Sequence, residues 1–293
     1  MYGTDCASHA NVSGFVSYCE FKENQAVAAR VSGFYTVQRA PADGPVLAIG
    51  NSWSRRLFDG DFYRSDAADQ EFPLTSLVFV QSKDGNTVAA EPSTLGGGES
   101  DKHLVYEGLS RVDADAVMAG AATARSERMV FSIWHSELVA LRLDRGHSRH
   151  PAQIVVTGRG NVPIETGVMF NEPSLRVFLV TRSGMVGALQ ERVAERTWVE
   201  VIDAGEPVSL KDAMRQLRQR GLRVISCVGG RRIATAMLRE KLITDLYLTT
   251  SPIAAGEPRT PFYEGPPLTL TQIIEKAGRG QESGVRFEHL IVR

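Results

Sequence analysis

The chain has little cysteine and no surplus of charge of either sign. Cys6, Cys19 and Cys227 are its three cysteines among 293 residues, too few and too scattered for a disulfide framework or a CxxC metal site. The 33 lysines and arginines nearly balance 34 aspartates and glutamates, so no overall field attracts nucleic acid or an anionic membrane. No apolar run reaches about 18 residues and no basic-then-apolar leader follows Met1, so we expect a cytoplasmic protein without a membrane span or secretory signal.

Several catalytic motifs are also absent. The stretch "GGRRIAT" lacks the lysine of a phosphate-binding P-loop, and Pro163 stands where a GxGxxG fingerprint needs its third glycine. There is no GxSxG elbow of a serine hydrolase, and no HxE with a PCxxC of a zinc deaminase. His147 and His150 lie three apart in a basic segment without a nearby carboxylate cluster, so we predict no metal site.

Short apolar runs alternate with helix-length amphipathic segments from Pro73 onward. This alternation predicts an α/β fold, in which helices cover both faces of a mostly parallel sheet. The last run, "VRFEHLIVR", alternates in polarity instead and predicts a final antiparallel strand at the edge of the sheet. The other predicted strands are "LTSLVFVQ", "ADAVMAG", "AQIVVTG", "LRVFLVT", "WVEVI", "LRVISCVGG" and "DLYLTTSP".

Three helices are indicated between these strands. Ser209 with Asp212 three residues later is typical of a helix start, and Gly221 of a left-handed helix end, which predicts a helix over about 210 to 220. A second helix is predicted to begin near Asp101, and a third to occupy residues 231 to 242.

Polar and glycine-rich segments follow four of the predicted strands. Ligands of open α/β sheets collect at the carboxyl ends of strands, where glycine lets a phosphate approach the N–H groups of a helix's first turn. The segments are Ser82-Lys83-Asp84-Gly85-Asn86, Gly120-Ala121-Ala122-Thr123-Ala124-Arg125, Thr157-Gly158-Arg159-Gly160 and Gly229-Gly230-Arg231-Arg232. Their threonines and arginines can add hydrogen bonds. Together they predict a site for a phosphorylated dinucleotide, and the alternative for each is a plain tight turn.

Asp84 is the best candidate for a carboxylate at the reacting centre. It ends an apolar strand and precedes a glycine, where its carboxylate could hydrogen-bond a polar heterocycle or a ribose. The alternative is a plain Asp-Gly turn.

The order and spacing of these segments resemble the reductase domain of the riboflavin-biosynthesis deaminase/reductase family, here as a stand-alone member. The matching stretches are "FVQSKDG", "GGGESDKHLVYEGLSRVDADAVMAGAATAR" and "CVGGRRIATAMLREKLITDLYLTTSPIAAG". Upstream, "LFDGDF" is similar to the segment before the family's first strand. The resemblance implies a dihydrofolate reductase-like three-layer sandwich over residues 57–293, behind an N-terminal extension of uncertain structure, residues 1–56.

The same resemblance implies a homodimeric, NADPH-dependent reductase that delivers a hydride to the ribose carbon attached to nitrogen in an aminopyrimidine phosphate. Because the cofactor carries the chemistry, little acid/base machinery is expected from the protein. The implied roles are Gly120, Ala121 and Thr123 along the cofactor; Gly229, Gly230 and Arg231 at its pyrophosphate; Thr157 and Arg159 near its 2′-phosphate; Ser82, Lys83 and Asp84 facing the substrate; and Lys102 or Arg111 at the substrate phosphate.

Three positions depart from the family pattern. Val228 stands where the family has a glutamate, Thr244 where it has an aspartate, and Asn86 where several pathway enzymes have a lysine. A buried donor left unpaired costs about 1–3 kcal/mol, so these changes are expected to affect the substrate half of the site. Two other hypotheses stay open: an NADP(H)-binding homologue with a different substrate or no turnover, and a generic α/β nucleotide-binding module.

Overall fold

The computed structural model describes residues 7–42, 44–66, 71–90 and 92–293. The strands are β1 Phe34–Arg39, β2 Val46–Ile49, β3 Phe62–Ser65, β4 Leu74–Gln81, β5 Ala116–Gly120, β6 Ala152–Val156, β7 Val177–Thr181, β8 Val199–Asp203, β9 Val224–Cys227, β10 Asp245–Thr250, β11 Leu270–Gly278 and β12 Arg286–Val292. The helices are α1 Ala7–Ala28, α2 Ser52–Phe58, α3 Ser110–Val112, α4 Ser136–Asp144, α5 Val168–Asn171, α6 Val186–Arg192, α7 Leu210–Gln219 and α8 Arg231–Arg239, and a π-helical segment, Ser100–Leu109, precedes α3.

Seven strands of a ten-stranded sheet run parallel, in the order β10-β4-β9-β5-β6-β7-β8. In the middle of β4, Leu77 lies between Leu246 of β10 and Cys227 of β9. Each of the seven quoted apolar runs forms one of these strands. The prediction of an α/β fold with a mostly parallel sheet is therefore confirmed.

The C-terminal strand β12 is antiparallel as predicted, but it lies inside the sheet. It pairs with β10 on one side and with β11 on the other. Strand β1 then pairs with β11 and forms the edge. The predicted edge position of the C-terminal strand is therefore wrong, because β11 folds back on β12 as a hairpin and the N-terminal part of the chain adds one strand more.

Helices cover both faces of the sheet, because successive side chains of each strand point to opposite faces. On one face, Met214 of α7 and Met237 of α8 pack with Leu77 in one buried apolar cluster. On the other face, Leu189 of α6 and Leu104 of the π-helical segment belong to two further buried clusters. Full burial of side chains of this size contributes about 1.5–3 kcal/mol each. The predicted three-layer sandwich is confirmed.

The helices begin close to where the sequence places them. The Oγ of Ser209 accepts the N–H of Asp212 over 3.2 Å at the start of α7, and Gly221 takes a φ of +87° beyond its end. Helix α8 ends at Arg239 instead of residue 242, since Lys241 adopts a left-handed φ of +57°.

The region before residue 57 shares a core with the C-terminal strand. Phe34 of β1 is completely buried, and its ring centre lies 6.0 Å from that of Phe58 and 6.1 Å from that of Phe287. Strands β2 and β3 form a separate two-stranded sheet. The division of the chain at residue 56 stays a prediction.

The helices of the described ranges are not suited to a membrane, and the cysteines there are free thiols. None of these helices combines the length and the apolar character that a membrane span requires. Cys19 and Cys227 are free thiols, and Cys6 lies outside the described residues. Burial raises the pKa of the Cys227 thiol to about 11, which makes it a poor nucleophile.

Candidate active site

The four polar and glycine-rich segments predicted to form the site lie side by side at the carboxyl ends of the parallel strands. They follow β4, β9, β5 and β6, which are consecutive parallel neighbours. Neighbouring strands lie about 4.8 Å apart, so the first and last segments are about 14 Å apart. The structure therefore brings the predicted segments into one row.

Glycine backbone forms the floor of this row between β9 and β5. Gly120 donates its N–H to the carbonyl oxygen of Gly229 over 2.8 Å. A Cβ on Gly229, whose φ is +94°, would lie 2.8 Å from the ring of Phe79, and a Cβ on Gly120 would lie 3.1 Å from Ile233. A side chain at Gly229 would clash with Phe79, and one at Gly120 would require Ile233 to shift, so both positions favour glycine.

Helix α8 begins at this glycine floor. Gly230 is its N-cap, and no side chain caps the N–H groups of its first turn. Those groups and the partial positive charge of the helix end suit an anion. A Cβ placed on Gly230 would lie 3.6 Å from the Oγ1 of Thr123, so the Thr123 hydroxyl lies beside the same place.

The arginines at the start of α8 differ in their contacts. The Nε of Arg231 donates to the carbonyl oxygen of Pro261 over 2.8 Å, and its guanidinium pairs with Glu264. Arg232 is exposed and has no ion pair within the described part of the chain. Arg231 thus holds a neighbouring loop, and its predicted pyrophosphate contact stays a prediction.

In the segment after β6, Thr157 is held by hydrogen bonds and Arg159 is exposed. Thr157 is buried, its N–H donates to Val180 over 2.9 Å, and its carbonyl oxygen accepts the hydroxyl of Thr181 over 2.7 Å. Gly158 has open space around it, and the Arg159 side chain is exposed without a partner among the described residues. Thr157 is therefore held in place at the end of β6, whereas the Arg159 guanidinium is available to bind an anion.

An open groove of about 420 Å³ lies between the loops that follow β4 and β10. The Oγ of Ser82 is buried and accepts the N–H of Asn86 over 3.2 Å, so Ser82 stabilises the first loop. Lys83 and Asp84 are exposed. The groove is lined by Asp84, Asn86, Ala254, Ala255, Gly256, Pro258 and Arg259.

The two cations predicted at a substrate phosphate lie in different surroundings. Lys102 is exposed on the first turn of the π-helical segment. Arg111 is 1% exposed, donates to the carbonyl oxygen of Ser132 over 2.7 Å, and lies 4.7 Å from the centre of the Tyr106 ring. Burial lowers the pKa of its guanidinium. This placement favours a structural role for Arg111.

The comparisons with known proteins identify the family. A match to the RibD C-terminal domain covers residues 74–279, more than half of the chain. The chain belongs to the RibD C-terminal domain family. The expected membership is thereby confirmed, and the match covers all four of the segments at the edge.

Relatives of the family agree with this assignment. A 2,5-diamino-6-ribosylamino-4(3H)-pyrimidinone 5′-phosphate reductase of Archaeoglobus fulgidus is 26% identical over 60% of this chain and 81% of the relative. A reductase of the same name from Aquifex aeolicus is 22% identical over 67% and 84%. A pyrimidine reductase-like protein of Corynebacterium diphtheriae superposes with a TM-score of 0.63 at 21% identity, covering 75% and 92%. That last likeness shows a shared fold.

Two of the departures from the RibD C-terminal domain pattern have clear surroundings. Val228, the residue before the paired glycines, is 6% exposed within an apolar cluster, and its N–H donates to Met118 over 2.9 Å. Thr244 is half-buried, and its hydroxyl lies 3.1 Å from the carbonyl oxygen of Thr75 and 2.8 Å from a carboxylate oxygen of Asp245. Val228 therefore offers a ligand no polar group.

The sequence analysis missed two features of this edge. Arg259 lines the groove beside Asp84, and the rule that ligands collect at strand ends would have found it if β10 had been included. Asp101 is almost fully buried near Thr249 and Glu282, and burial raises the pKa of its carboxyl to about 7. No sequence signal marks Asp101, since its burial depends on the turn at residues 96–98 and on the distant Thr249.

Proposed function

We propose that the protein is a reductase of riboflavin biosynthesis that uses NADPH to reduce a 2,5-diamino-6-ribosylamino-4(3H)-pyrimidinone 5′-phosphate or its 5-amino-6-(5-phosphoribosylamino)uracil counterpart. Family membership and the names of the relatives support this substrate class. The observation that carries the proposal is the glycine-floored row at the carboxyl edge, which runs from the open groove at β4 to Arg159 at β6.

The residues of the row fit a dinucleotide. Its pyrophosphate would lie on the uncapped amino end of α8, beside Gly229, Gly230 and the hydroxyl of Thr123. Gly120 and Ala121 would line the path between the two halves of the cofactor. When bound, NADPH supplies the hydride, so these residues only have to orient it against the substrate.

Preference for NADPH over NADH would depend on Arg159. Its exposed guanidinium has no partner among the residues that the structure describes. It follows Thr157, whose backbone bonds fix the end of β6. A guanidinium binds a phosphate through charge-assisted, often bidentate hydrogen bonds. Arg159 is therefore the proposed contact of the 2′-phosphate.

The open groove is the proposed substrate site. Asp84 would hydrogen-bond the polar heterocycle or the ribose, and Lys83 lies next to it on the same exposed turn. Ser82 would keep that turn in place through its bond to Asn86. Lys102, exposed at the start of the π-helical segment, is a proposed contact of the substrate phosphate.

A homodimer is the proposed assembly. Tyr35 and Val37 are 47% and 54% exposed on the edge strand β1, and exposed apolar side chains on an edge strand favour a covering partner. Light scattering during gel filtration should give twice the chain mass of 32.0 kDa. The mass of a single chain would contradict the dimer.

The cytoplasm is the proposed location. Cys19 and Cys227 are both unpaired, which suits a reducing compartment. Fractionation of the native host should recover the protein with the soluble cytoplasmic enzymes, and recovery in the membrane or secreted fraction would contradict the proposal.

A single assay tests the proposed reaction. Purified protein should consume NADPH only when the aminopyrimidine ribosyl phosphate is added, and mass spectrometry should find a product heavier by two hydrogens with an opened ribityl chain. The second candidate, a cofactor-binding homologue with another substrate, is favoured by the apolar surroundings of Val228. Saturable NADPH binding without consumption would support that candidate and contradict the first.

A further inference from the structure

The loop over residues 252–260, here called the clamped loop, is held rigidly against the loop that follows β4. The amide of Asn86 joins the two loops from the inside, because its side chain donates to Ala255 over 3.2 Å and accepts the N–H of Thr260 over 3.3 Å. Three backbone hydrogen bonds of 2.8 Å also join the two loops. In each pair the first residue donates its N–H: Lys83 to Ile253, Glu257 to Val88 and Thr87 to Thr260. The wall of the groove is therefore preorganised before any ligand arrives.

Arg259 has a strained backbone within this loop. Its φ is +61°, a left-handed conformation that costs a residue with a side chain about 1–2 kcal/mol. The other two non-glycine residues with a positive φ in the described part of the chain lie at helix ends, where Asp59 caps α2 and Lys241 follows α8. Arg259 lies at no helix end, and strain of this kind concentrates at binding sites.

The guanidinium of Arg259 is available to a ligand. The side chain is exposed at the groove, and it has no hydrogen bond or ion pair with the described residues. The next residue, Thr260, has both backbone groups bonded to the opposite loop. The backbone that follows Arg259 is therefore fixed, while the Arg259 guanidinium has no partner among the described residues.

The two residues that follow the clamped loop join it to the cofactor side of the proposed site. Pro261, two residues after Arg259, accepts the Nε of Arg231 at the start of α8. Phe262 lies with its ring centre 6.0 Å from that of Phe79, the ring that closes over Gly229. The segment that directly follows Arg259 is therefore anchored to the start of α8 and to the ring beside Gly229.

We propose that Arg259 binds the phosphate group of the substrate, while Asp84, which lines the same groove, meets the uncharged part of the same molecule. This inference rests on the proposed function, because it takes a phosphorylated substrate in the groove. The planar guanidinium of arginine is suited to holding a phosphate through two parallel hydrogen bonds.

The test compares ligands that differ only in the phosphate. Arg259→Ala should raise the KM for the phosphorylated aminopyrimidine about tenfold to a hundredfold, with kcat and the NADPH affinity nearly unchanged. The KM for the dephosphorylated riboside should not change. Arg259→Lys should restore part of the loss, and Arg56→Ala, an exposed arginine on α2, should match the wild type.

Equal effects on both ligands, or no effect on either, would overturn the proposal. Calorimetric binding of ribose 5-phosphate separates this outcome from a failure of the proposed reaction, since it needs no turnover. If the wild type binds ribose 5-phosphate and Arg259→Ala does not, the phosphate site stands even when the aminopyrimidine is not reduced. If both bind it equally, or neither binds it, the assignment of Arg259 is wrong.

Discussion

The N–H of Gly120 donates to the carbonyl oxygen of Gly229 over 2.8 Å, and this bond joins the ends of β5 and β9 at the centre of the site. Their residues are 109 positions apart in the chain, yet each supplies a side-chain-free stretch of the same floor. Beside them begins α8, with its first turn uncapped. The proposed cofactor site thus depends on two strand ends and one helix end meeting at one point.

Gly230→Ala should weaken NADPH binding without destabilising the fold. The new Cβ would be 3.6 Å from Thr123, an ordinary contact, so the folded state accepts it, but the methyl group would stand on the floor where the pyrophosphate approaches. We expect a Kd raised at least about tenfold, which is 1.4 kcal/mol, and a nearly unchanged melting temperature. Fluorescence titration and thermal unfolding measure the two quantities.

Two other glycines give controls for that experiment. Gly14→Ala places a Cβ into open space on α1 and should lower neither the NADPH affinity nor the melting temperature. Gly229→Ala should instead lower the melting temperature, because its Cβ would meet the Phe79 ring at 2.8 Å and its φ is +94°. Unchanged NADPH affinity in a folded Gly230→Ala protein would contradict the placement of the pyrophosphate.

Arg159→Ala should lower the affinity for NADPH about tenfold and leave the affinity for NADH unchanged, because only NADPH carries the 2′-phosphate. Arg223→Ala is a matched control, since Arg223 is also exposed but precedes β9 at the opposite edge of the sheet. Parallel titrations with both cofactors measure the ratio. An equal loss of affinity for NADPH and NADH would mean that Arg159 contacts another part of the cofactor or that the substitution disturbs the fold.

Asp101 should make folding stability fall as pH rises from about 4 to about 7. Burial raises the pKa of its carboxyl to about 7 in the folded protein, above the ordinary value near 3.8, so the folded state binds the proton more tightly than the unfolded state. The stabilisation is complete below pH 4 and is lost by pH 7, on the order of 4 kcal/mol at most.

Asp101→Asn removes this titration and keeps a polar group near Thr249. Urea unfolding at a series of pH values should show that the wild type loses stability relative to the variant between pH 4 and 7. Taking the difference between the two proteins cancels the titration of the other groups. A difference that does not vary with pH would mean that the pKa of Asp101 is the same in the folded and the unfolded protein.

Phe34→Ala should cost about 3–5 kcal/mol of unfolding free energy, because Phe34 is completely buried against Phe58 and Phe287. The adjacent Tyr35 is 47% exposed on the same strand, and Tyr35→Ala should cost much less. Chemical denaturation of both variants tests whether β1 is integral to the main fold. Equal small losses would make residues before 57 a dispensable extension, as the predicted domain boundary implies.

The parallel strands can be predicted from local sequence patterns, but the arrangement of the antiparallel strands beside them cannot. Every strand from β4 to β10 is a short apolar run, since both faces of a parallel sheet are covered. The final strand also has a clear alternation, and its antiparallel direction is confirmed. Its position inside the sheet could not be read from that pattern, because β1 and β11 are weakly patterned and β1 pairs with β11 over a long sequence distance.

The site shows the same difference between local and distant determinants. Glycines after strands mark Gly120, Gly229 and Gly230 directly, because the strand-to-helix turn and the phosphate chemistry are local. The burial of Arg111 beside Tyr106 and the attachment of Thr260 to the first loop depend on tertiary contacts. A charged residue in the sequence therefore indicates an available cation only once its neighbours are known.

Steady-state consumption of NADPH tests the central claim most directly. With the aminopyrimidine ribosyl phosphate present, the wild-type protein should consume NADPH at a saturable rate and release a ribityl product, and Gly230→Ala should raise the KM for NADPH. No substrate-dependent consumption by a folded protein that binds NADPH would contradict the proposed reductase reaction.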